Sequence, residues 1–236
     1  MLTPHVLEAE HLTKTYGTTV ALDGVTLRID RGEAVAVMGP SGSGKTTLLH
    51  CLAGIIAPDA GTVALHTARG TRLLHTLGPE GRAEVRRRHY GFVFQQGLLL
   101  PELTAAENVA LPLLVDGVDR REAHDRALRW LDRLGLAGLA DRRPGQLSGG
   151  QAQRVAVARA QVTEPDVVFA DEPTGALDSR TSAQVMDALL ESTVGQGRTL
   201  VVVTHEPAVG ARCDRVLRLL DGRVTREDDA AVGVTR

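Results

Sequence analysis

A glycine-rich segment at residues 39–47, with the sequence GPSGSGKTT, has the composition of a phosphate-binding loop. Seven of its nine residues are Gly, Ser or Thr, and it contains Lys45, one of only two lysines in the chain. GPSGSGKT matches the pattern G-x-x-x-x-G-K-[ST] at all four fixed positions. The backbone N–H groups of such a loop surround an anion, and a following helix adds its positive end. We expect Lys45 to reach the β- and γ-phosphates of a nucleotide and the Thr46 hydroxyl to bind Mg²⁺.

The neighbouring sequence supports this interpretation. The apolar run AVAVM at 34–38 is typical of a buried strand, and TTLLHCLAG at 46–54 predicts a helix. A coincidental small-residue loop is the alternative, and it does not explain why a strand precedes the loop and a helix follows. We attribute the backbone freedom of the loop to Gly39, Gly42 and Gly44. The predicted phosphate-binding residues are Gly39, Pro40, Ser41, Gly42, Ser43, Gly44, Lys45, Thr46 and Thr47.

Two carboxylates follow a second apolar run. VVFA at 167–170 leads directly into Asp171 and Glu172. Ligands of α/β sheets bind beyond the carboxyl ends of the strands, so these side chains are expected near the glycine loop. We expect Asp171 to lie in the outer coordination shell of Mg²⁺. We expect Glu172 to polarise an attacking water as the general base. An ordinary strand with a solvated acidic turn is the alternative.

Short β-like runs alternate with loops and helices, which argues for a parallel α/β sheet. Further strands are predicted at 90–95, 166–171 and 199–205. DRVLRLLDGRV at 214–224 predicts two strands joined by an Asp-Gly turn. The signals from 98 to about 160 are helical, so we expect a helical subdomain inserted in the core.

Two patterns define helices within that inserted segment. Thr104 and Glu107 have the spacing of a capping box. One apolar face is predicted farther along the chain, and it consists of Ala127, Leu128, Leu131 and Leu134. A separate arginine-rich helix is predicted at 80–90, where Arg86–Arg88 is interpreted as a solvated face rather than as a contact to lipid headgroups.

The bulk composition excludes several classes of protein. The 236 residues are 43% hydrophobic, enough for a substantial core, and the net charge of −2 gives no reason to expect nucleic acid. Cys51 and Cys213 lack metal-ligand spacing and are expected to be buried small hydrophobes in a reducing compartment. No signal peptide is recognisable, and no window approaches the ~18 apolar residues of a membrane span. Any membrane role must therefore come through a partner.

At LSGGQ, residues 147–151, the chain begins to resemble one specific family. This pentapeptide, followed by AQRVAVARA and later by VVFADEP, resembles the signature of the ATP-binding cassette (ABC) ATPases. The remaining family motifs occur in order as TYG with Tyr16, VFQQ with Gln95, GALD with Asp178 and VTHEP with His205. Together with the glycine loop and the acidic strand, seven ordered motifs span residues 5–225.

The resemblance implies an α/β fold and its boundaries. The expected architecture is a P-loop NTPase (RecA-like) core with an N-terminal antiparallel β subdomain. A helical subdomain at about 97–160 is inserted in that core. Residues 226–236 would form a flexible tail.

The resemblance also implies roles for single residues. Tyr16 would stack on adenine, although a core tyrosine is the alternative. Gln95 would offer its amide oxygen to Mg²⁺ or to the attacking water, with an ordinary surface glutamine as the alternative. His205 would lie near the γ-phosphate, although a lone histidine is more often structural.

The signature implies a second copy of the chain. Its residues are Leu147, Ser148, Gly149, Gly150 and Gln151, at the start of a predicted helix where Ser148 would donate its hydroxyl to phosphate. In the family, each nucleotide lies between the glycine loop of one subunit and the signature of the other. A homodimer closing head-to-tail on two ATP is therefore expected, with Asp178 lining the seam between the subunits.

The resemblance finally implies a membrane partner. In the family, the segment at 97–118 forms the groove that receives a permease. Together with PTGALDS at 173–179, it resembles the branch that serves lipoprotein release, macrolide export, antimicrobial-peptide resistance and cell division. The expected function is an ATPase subunit, peripheral on the inner, cytoplasmic face of the membrane, that drives a separate permease for export. A non-transporting complex of the cell-division type is the alternative. An ABC ATPase acting on nucleic acid or ribosomes is disfavoured, because no second cassette, long coiled coil or zinc module is visible.

Overall fold

Two β-sheets and a set of helices form the fold in the computed structural model, which describes residues 5–95 and 97–229. The strands are β1 (His5–Tyr16), β2 (Thr19–Asp30), β3 (Ala34–Met38), β4 (Ala60–Thr67), β5 (Gly70–Leu73), β6 (Tyr90–Phe94), β7 (Val167–Asp171), β8 (Thr199–Thr204), β9 (Arg215–Leu220) and β10 (Arg223–Asp229). The helices are α1 (Lys45–Leu52), α2 (Pro79–His89), α3 (Ala105–Val115), α4 (Arg120–Arg133), α5 (Gly149–Gln161), α6 (Ser179–Ser192) and α7 (Pro207–Gly210). Short 3-10 turns occur at Leu74–Thr76, Pro144–Gln146 and Val194–Gln196.

The larger sheet confirms the predicted parallel core. Its strand order is β10-β9-β3-β8-β7-β6, and all neighbours are parallel except the antiparallel pair β9–β10. The central strands β3, β7 and β8 carry almost continuous apolar runs because both faces of a parallel sheet are covered.

Alternate residues of the central strands enter two separate hydrophobic cores. Val35 and Val37 of β3 pack with helix α1 and with the second sheet. Ala34, Ala36 and Met38, on the opposite face, pack with the helices α3 to α6. One sheet is therefore shared by two layers, which is the reason why its central strands are almost entirely apolar.

The second sheet is antiparallel, with the order β2-β1-β4-β5. It consists of strands from the first third of the chain and confirms the predicted N-terminal β subdomain. The three helices α3, α4 and α5 lie between β6 and β7 and confirm the predicted helical insertion.

Most of the local predictions within these elements are confirmed. Thr104 and Glu107 form a reciprocal capping box at the start of α3, with N···O distances of 2.8 and 3.2 Å. Asp221 and Gly222 form the turn between β9 and β10, with φ of +47° and +74°. Both cysteines are buried, and burial raises the pKa of Cys51 to about 11 and that of Cys213 to about 12.

Three predictions are wrong or incomplete. On the apolar face of α4, Leu128 is 38% exposed, whereas the other three predicted residues are buried. Arg86 is half-buried and donates to the carbonyl of Gly54 (2.6 Å), so only Arg87 and Arg88 belong to a solvated face. Strand β10 runs to Asp229, so the expected flexible tail is wrong for residues 226–229, and residues 230–236 lie outside the described part.

The part of β10 beyond Val224 escaped prediction because ion pairs hold it in place of apolar contacts. The sequence of β10, RVTREDD, lacks the alternation that usually identifies a strand. Across the ladder, Arg218 pairs with Asp228 and Arg215 pairs with Glu227, both at 3.3 Å. Charged side chains suit an edge strand, because they discourage further strand pairing. None of the helices in the described part of the chain is long and apolar enough to cross a membrane.

Candidate active site

Four neighbouring strands bring the candidate catalytic residues to one edge of the parallel sheet. In the registered order, Met38 of β3 lies beside Thr204 of β8, Val203 beside Asp171 of β7, and Asp171 beside Phe94 of β6. The glycine loop, His205, Glu172 and Gln95 each follow one of these strand ends. The carboxyl edge of a parallel sheet is where α/β proteins bind ligands.

The glycine loop ends in the N-terminus of α1, and this N-terminus carries no side-chain cap and no acidic residue in its first turn. The first N–H groups of a helix have no partner within the helix, so here they are available to an anion. The Lys45 ammonium lies over the loop and donates to the carbonyls of Gly39 (2.8 Å) and Pro40 (2.9 Å). Cationic and N–H donors thus converge at the predicted phosphate site.

The glycines of the loop have two different functions. Gly42 and Gly44 have φ of +80° and +100°, as expected for a loop that turns its N–H groups inward. Gly39 is not in the left-handed region, so the prediction that it gives the loop backbone freedom is wrong. A Cβ atom at Gly39 would lie 2.1 Å from the carbonyl oxygen of Leu219, which shows that close packing requires this glycine. Ser43 is buried, and its hydroxyl has no hydrogen-bond partner among the described residues.

Glu172 is held both through its backbone and through its side chain. Its N–H donates to the carbonyl of Val203 (2.9 Å), and its φ is +46°. Its carboxylate lies 2.8 Å from Nδ1 of His205 and accepts from the hydroxyl of Thr204 at 3.4 Å. This hydrogen bond and the negative charge raise the pKa of His205. His205 itself is 65% exposed, so the pair faces the space beyond the strands.

Asp171, one residue earlier, is in a different electrostatic environment. Burial raises the pKa of its carboxyl, and the charge of Glu172 adds to the effect. The positive charges of His50 and Lys45 act in the opposite direction. A cation placed beside Asp171 would offset the cost of holding its carboxylate charge in this buried position next to Glu172.

The oxygen atoms near this position suit Mg²⁺. The candidates are the Thr46 hydroxyl, the Gln95 amide oxygen and the Asp171 carboxylate, all hard donors. Within 5–95 and 97–229, no group of three or more His, Cys, Asp or Glu side chains could hold a metal alone. Mg²⁺ is commonly bound by one or two carboxylates together with water and substrate phosphates, so the donor set fits a nucleotide-bound ion.

Gln95 lies beside the loop that follows Glu172. A Cβ atom at Gly175 would lie 3.0 Å from the side-chain nitrogen of Gln95 and 3.7 Å from Cβ of Glu172. The side chains of Gln95 and Glu172 therefore meet at Gly175. The structure brings together Gln95, Glu172 and His205, as the strand order requires.

Three polar side chains that the sequence analysis missed hold the chain after Gln95 in place. Gln153 donates to the carbonyl of Phe94 (2.9 Å), and Arg159 donates to the carbonyls of Gly97 (2.6 Å) and Leu98 (2.8 Å). Fully buried Asn108 bonds to the backbone of Leu100, Leu103 and Thr104. Asn108 could have been found, because it occupies the apolar face of α3 at helical spacing from buried neighbours.

The signature residues lie at the start of α5. Ser148 is the N-cap, whose hydroxyl oxygen accepts from the N–H of Gln151 (3.3 Å), and the Gln151 side chain accepts from the N–H of Ser148 (2.9 Å). The hydroxyl proton of Ser148 remains available to a ligand. Gln151 acts in this structure as a capping residue. Ser148 and Gly149 are exposed, and Leu147 packs against the helical core.

Asp178 lies next to the signature. It caps α6 by accepting from the N–H of Thr181 (3.0 Å) and from the Thr181 hydroxyl (2.6 Å), which lowers its pKa. Gly150 packs on the same threonine, since a Cβ atom there would lie 2.3 Å from Cγ2 of Thr181. Among the described residues, no hydrogen bond joins the signature to the glycine loop. The two motifs belong to different elements, since the loop connects β3 to α1 and the signature begins α5 in the helical insertion.

Tyr16, the residue predicted to stack on adenine, lies at the end of β1. Its side chain is 51% exposed, so the alternative of a core tyrosine is wrong. The Lys14 ammonium lies 5.7 Å from the ring centroid and is paired with Asp59 at 2.7 Å. One aromatic surface is thus held near a fixed cation and is accessible to a planar ligand.

Comparison with known proteins identifies the family of this chain. The family model of the ABC transporter matches residues 22–175. This chain belongs to the ABC transporter ATP-binding family. An uncharacterized ABC transporter ATP-binding protein, YbbA of Escherichia coli K12, is 45% identical over 94% of this chain and 98% of its own length.

Two further relatives and a solved structure agree with this assignment. The lipoprotein-releasing system ATP-binding protein LolD of Bacteroides thetaiotaomicron is 40% identical over 94% of this chain and 100% of its own length. The macrolide export ATP-binding/permease protein MacB of Hyphomonas neptunium is 43% identical over 94% of this chain but over only 34% of its own length. The dimeric ATP-binding cassette MJ0796 bound to ADP and Pi superposes with a TM-score of 0.85, at 40% identity, covering 95% of this chain and 98% of that one. This chain is thus an ABC ATPase that binds ATP.

Proposed function

We propose that two copies of this ABC ATPase enclose two ATP molecules and drive a separate membrane permease. The observation that carries the proposal is a groove of about 530 Å³ beside the chain around Gln95. Phe92, Phe94, Leu98 and Pro112 line it with apolar surface, and Arg86, Arg87 and Arg159 contribute charge. Gln95 follows directly on Phe94, so a segment seated in the groove would be connected to the ATP site by one short stretch of chain.

The exposed apolar residues around the groove support a protein partner. Leu98, which lines the groove, is exposed, and so are Leu100 and Val115, which lie close in sequence to the lining residues Leu98 and Pro112. Phe92 and Phe94 both line the groove, and their rings are nearly parallel with centroids 6.0 Å apart. Clustered exposed apolar side chains mark interaction sites in many proteins. A short helix of the permease that presents apolar side chains would fit here.

The chemistry follows from the arrangement at the carboxyl edge. We infer that Glu172 accepts the proton of the attacking water, while His205 fixes the carboxylate and contacts the γ-phosphate. Lys45 and the N-terminus of α1 hold the β- and γ-phosphates, and Gln95 orients the water. Bound Mg²⁺, held by Thr46, Asp171 and Gln95, would neutralise developing phosphate charge. The protein thus contributes mainly position and electrostatic stabilisation.

The dimer follows from the separation of the signature from the glycine loop. Ser148 and Gly149 offer a hydroxyl and helix N–H groups. In this proposal these donors do not bind the phosphates held by the glycine loop of their own chain. A second copy in head-to-tail orientation would place them over the γ-phosphate, with Asp178 at the seam. The dimeric state of the solved relative MJ0796 supports this arrangement. The names of LolD, of a lipoprotein-releasing system, and MacB, a macrolide export protein, support export as the direction of transport, and the permease named with MacB supports a location at the membrane.

The test is to purify a tagged Glu172→Gln form with ATP from membranes and to identify what accompanies it. The substitution removes the proposed base and should keep ATP bound and the dimer closed. We expect a membrane protein with several spans, and we expect the substitution Phe94→Glu in the groove to release it. Recovery of the homodimer alone, of nucleic acid or of ribosomes would contradict the proposal.

A further inference from the structure

The turn between β9 and β10 contacts the glycine loop, although the two segments lie far apart in the sequence. The N–H of Gly222 donates to the carbonyl of Ser43 at 3.1 Å. The carbonyl of Leu219 approaches Gly39 so closely that a Cβ atom there would lie 2.1 Å from its oxygen. The hairpin therefore touches the loop both at its first residue and in its middle, and both contacts are made by backbone atoms.

Strand β2 contacts the same region from another side. A Cβ atom at Gly44 would lie 2.2 Å from the carbonyl oxygen of Ala21, and one at Gly222 would lie 2.9 Å from it. The N–H of Asp23 donates to the carbonyl of Gly222 at 2.9 Å. Gly222 is thus bonded through its N–H to the glycine loop and through its carbonyl to β2.

An exposed ion pair reinforces this arrangement at the surface. The Nε and Nη2 atoms of Arg223 both donate to Oδ2 of Asp23, at 2.9 and 2.6 Å. Gly222 has φ of +74°, and its neighbour Asp221 has φ of +47°. A side chain at Gly222 would meet only backbone atoms of Ala21 and Leu22, which cannot move aside by changing rotamer.

We propose that Gly222 is a positioning residue for ATP binding, and that the β9–β10 turn acts as the backbone support of the phosphate-binding loop. A loop rich in glycine has many accessible conformations, so its binding shape must be imposed by its surroundings. The bond from Gly222 holds the Ser43 carbonyl toward the hairpin. Without it, that carbonyl is free to turn toward the phosphates, where its partial negative charge repels them. Displacements of about 1 Å at such sites can cost 10²-fold in activity.

The experiment compares Gly222→Ala with Gly197→Ala. Gly197 has nearly the same φ, +73°, but a Cβ atom there would meet nothing within 4 Å, so the control carries the backbone strain without the contact. We expect Gly222→Ala to raise the Kd for trinitrophenyl-ATP at least tenfold above that of Gly197→Ala, with similar thermal midpoints. An affinity within twofold of the control would overturn the proposal, and so would a loss of stability without a loss of affinity.

A milder variant keeps the proposal testable if Gly222→Ala does not fold. Arg223→Gln removes the surface ion pair with Asp23 and leaves the backbone unchanged. We expect amide hydrogen exchange in a peptide covering 39–47 to accelerate at least threefold, with no change in a peptide covering 194–198. Arg72→Gln, on the exposed strand β5, is the matched control. Unchanged exchange at 39–47 in Arg223→Gln would show that the hairpin does not support the loop.

Discussion

The backbone of Glu172 occupies a left-handed conformation that residues other than glycine seldom adopt. Such conformations cost energy, persist only where their surroundings fix them, and are concentrated at functional sites. Here the N–H bond to Val203 and the side-chain contact with His205 provide that constraint. The carboxylate therefore has a defined position beyond the strands, which is what a general base requires.

We predict that Glu172→Gln lowers the rate of ATP hydrolysis about 10²- to 10⁴-fold, the usual contribution of a general base. ATP affinity should change less than threefold, because the phosphates are held by the glycine loop. Phosphate release and nucleotide titration measure the two effects separately. Glu206→Gln is the control, since Glu206 directly follows His205 in the sequence but accepts from the Thr174 hydroxyl at 3.4 Å instead. Turnover of Glu172→Gln at the level of this control would remove Glu172 from the role of base.

The second residue-scale prediction concerns the charge of His205. Its pKa is raised because the imidazolium is paired with Glu172. The pair therefore contributes stability at low pH, and this contribution is lost as the pH rises through the raised pKa. We expect NMR titration of the His205 ring to give a pKa above the ordinary value of about 6.5, and Glu172→Gln to return it to that value. A His205 pKa that is the same in both proteins would show that the pair does not form in solution.

At this scale the sequence predicted which residues converge but not always why. Gly42, Gly44, Glu172 and His205 follow from motif spacing and strand ends. The role of Gly39 could not be predicted, because the carbonyl that requires a glycine there belongs to Leu219, on a strand near the other end of the chain. Residues defined by non-local contacts carry no local signal.

Among the elements, α5 and α6 are linked where the signature meets Asp178. Gly150 and Thr181 form the contact, and Thr181 also donates its hydroxyl to Asp178. A shift of one helix start must therefore shift the other. This joint connects two of the motifs that the proposed dimer seam needs.

We predict that Gly150→Ala lowers the free energy of unfolding by about 1–3 kcal/mol, as is usual for overpacking. Adding Thr181→Ser should restore most of that loss, because it removes the clashing Cγ2 and keeps the hydroxyl for Asp178. Urea unfolding of the single and double variants measures both effects. Gly145→Ala is the control, since a Cβ atom there would meet nothing within 4 Å, and it should change the free energy by less than about 0.5 kcal/mol. Failure of Thr181→Ser to rescue Gly150→Ala would refute the contact.

Element prediction succeeded where a pattern reflects burial. Continuous apolar runs identified β3, β7 and β8, and the capping box identified the start of α3. It failed for the part of β10 beyond Val224, whose charged residues are held by cross-strand pairs, and for Leu128, which lies at the edge of an apolar face. Local sequence contains the periodicity of an element but not the position of its partner.

For the whole molecule, the order of motifs along the chain indicated the fold, because four of them, the glycine loop and the motifs of Gln95, Glu172 and His205, each follow one strand of a single parallel sheet. What the sequence could not supply is the packing between distant segments, such as the β9–β10 turn against the glycine loop. The central claim at this scale is that each chain contributes its glycine loop to one catalytic site and its signature to another, so that neither site is complete within one chain. A second copy would complete both.

The most direct test mixes two defective chains, both carrying Glu172→Gln to prevent hydrolysis. One also carries Lys45→Ala in the glycine loop, and the other carries Ser148→Arg in the signature. Each alone should lose bound ATP during rapid desalting, since every site in its homodimer has one damaged half. Their mixture should retain ATP, close to one molecule per mixed dimer, because one of its two sites is intact. Retention of ATP by the Ser148→Arg chain alone would contradict the account, since the site would then be complete within a single chain.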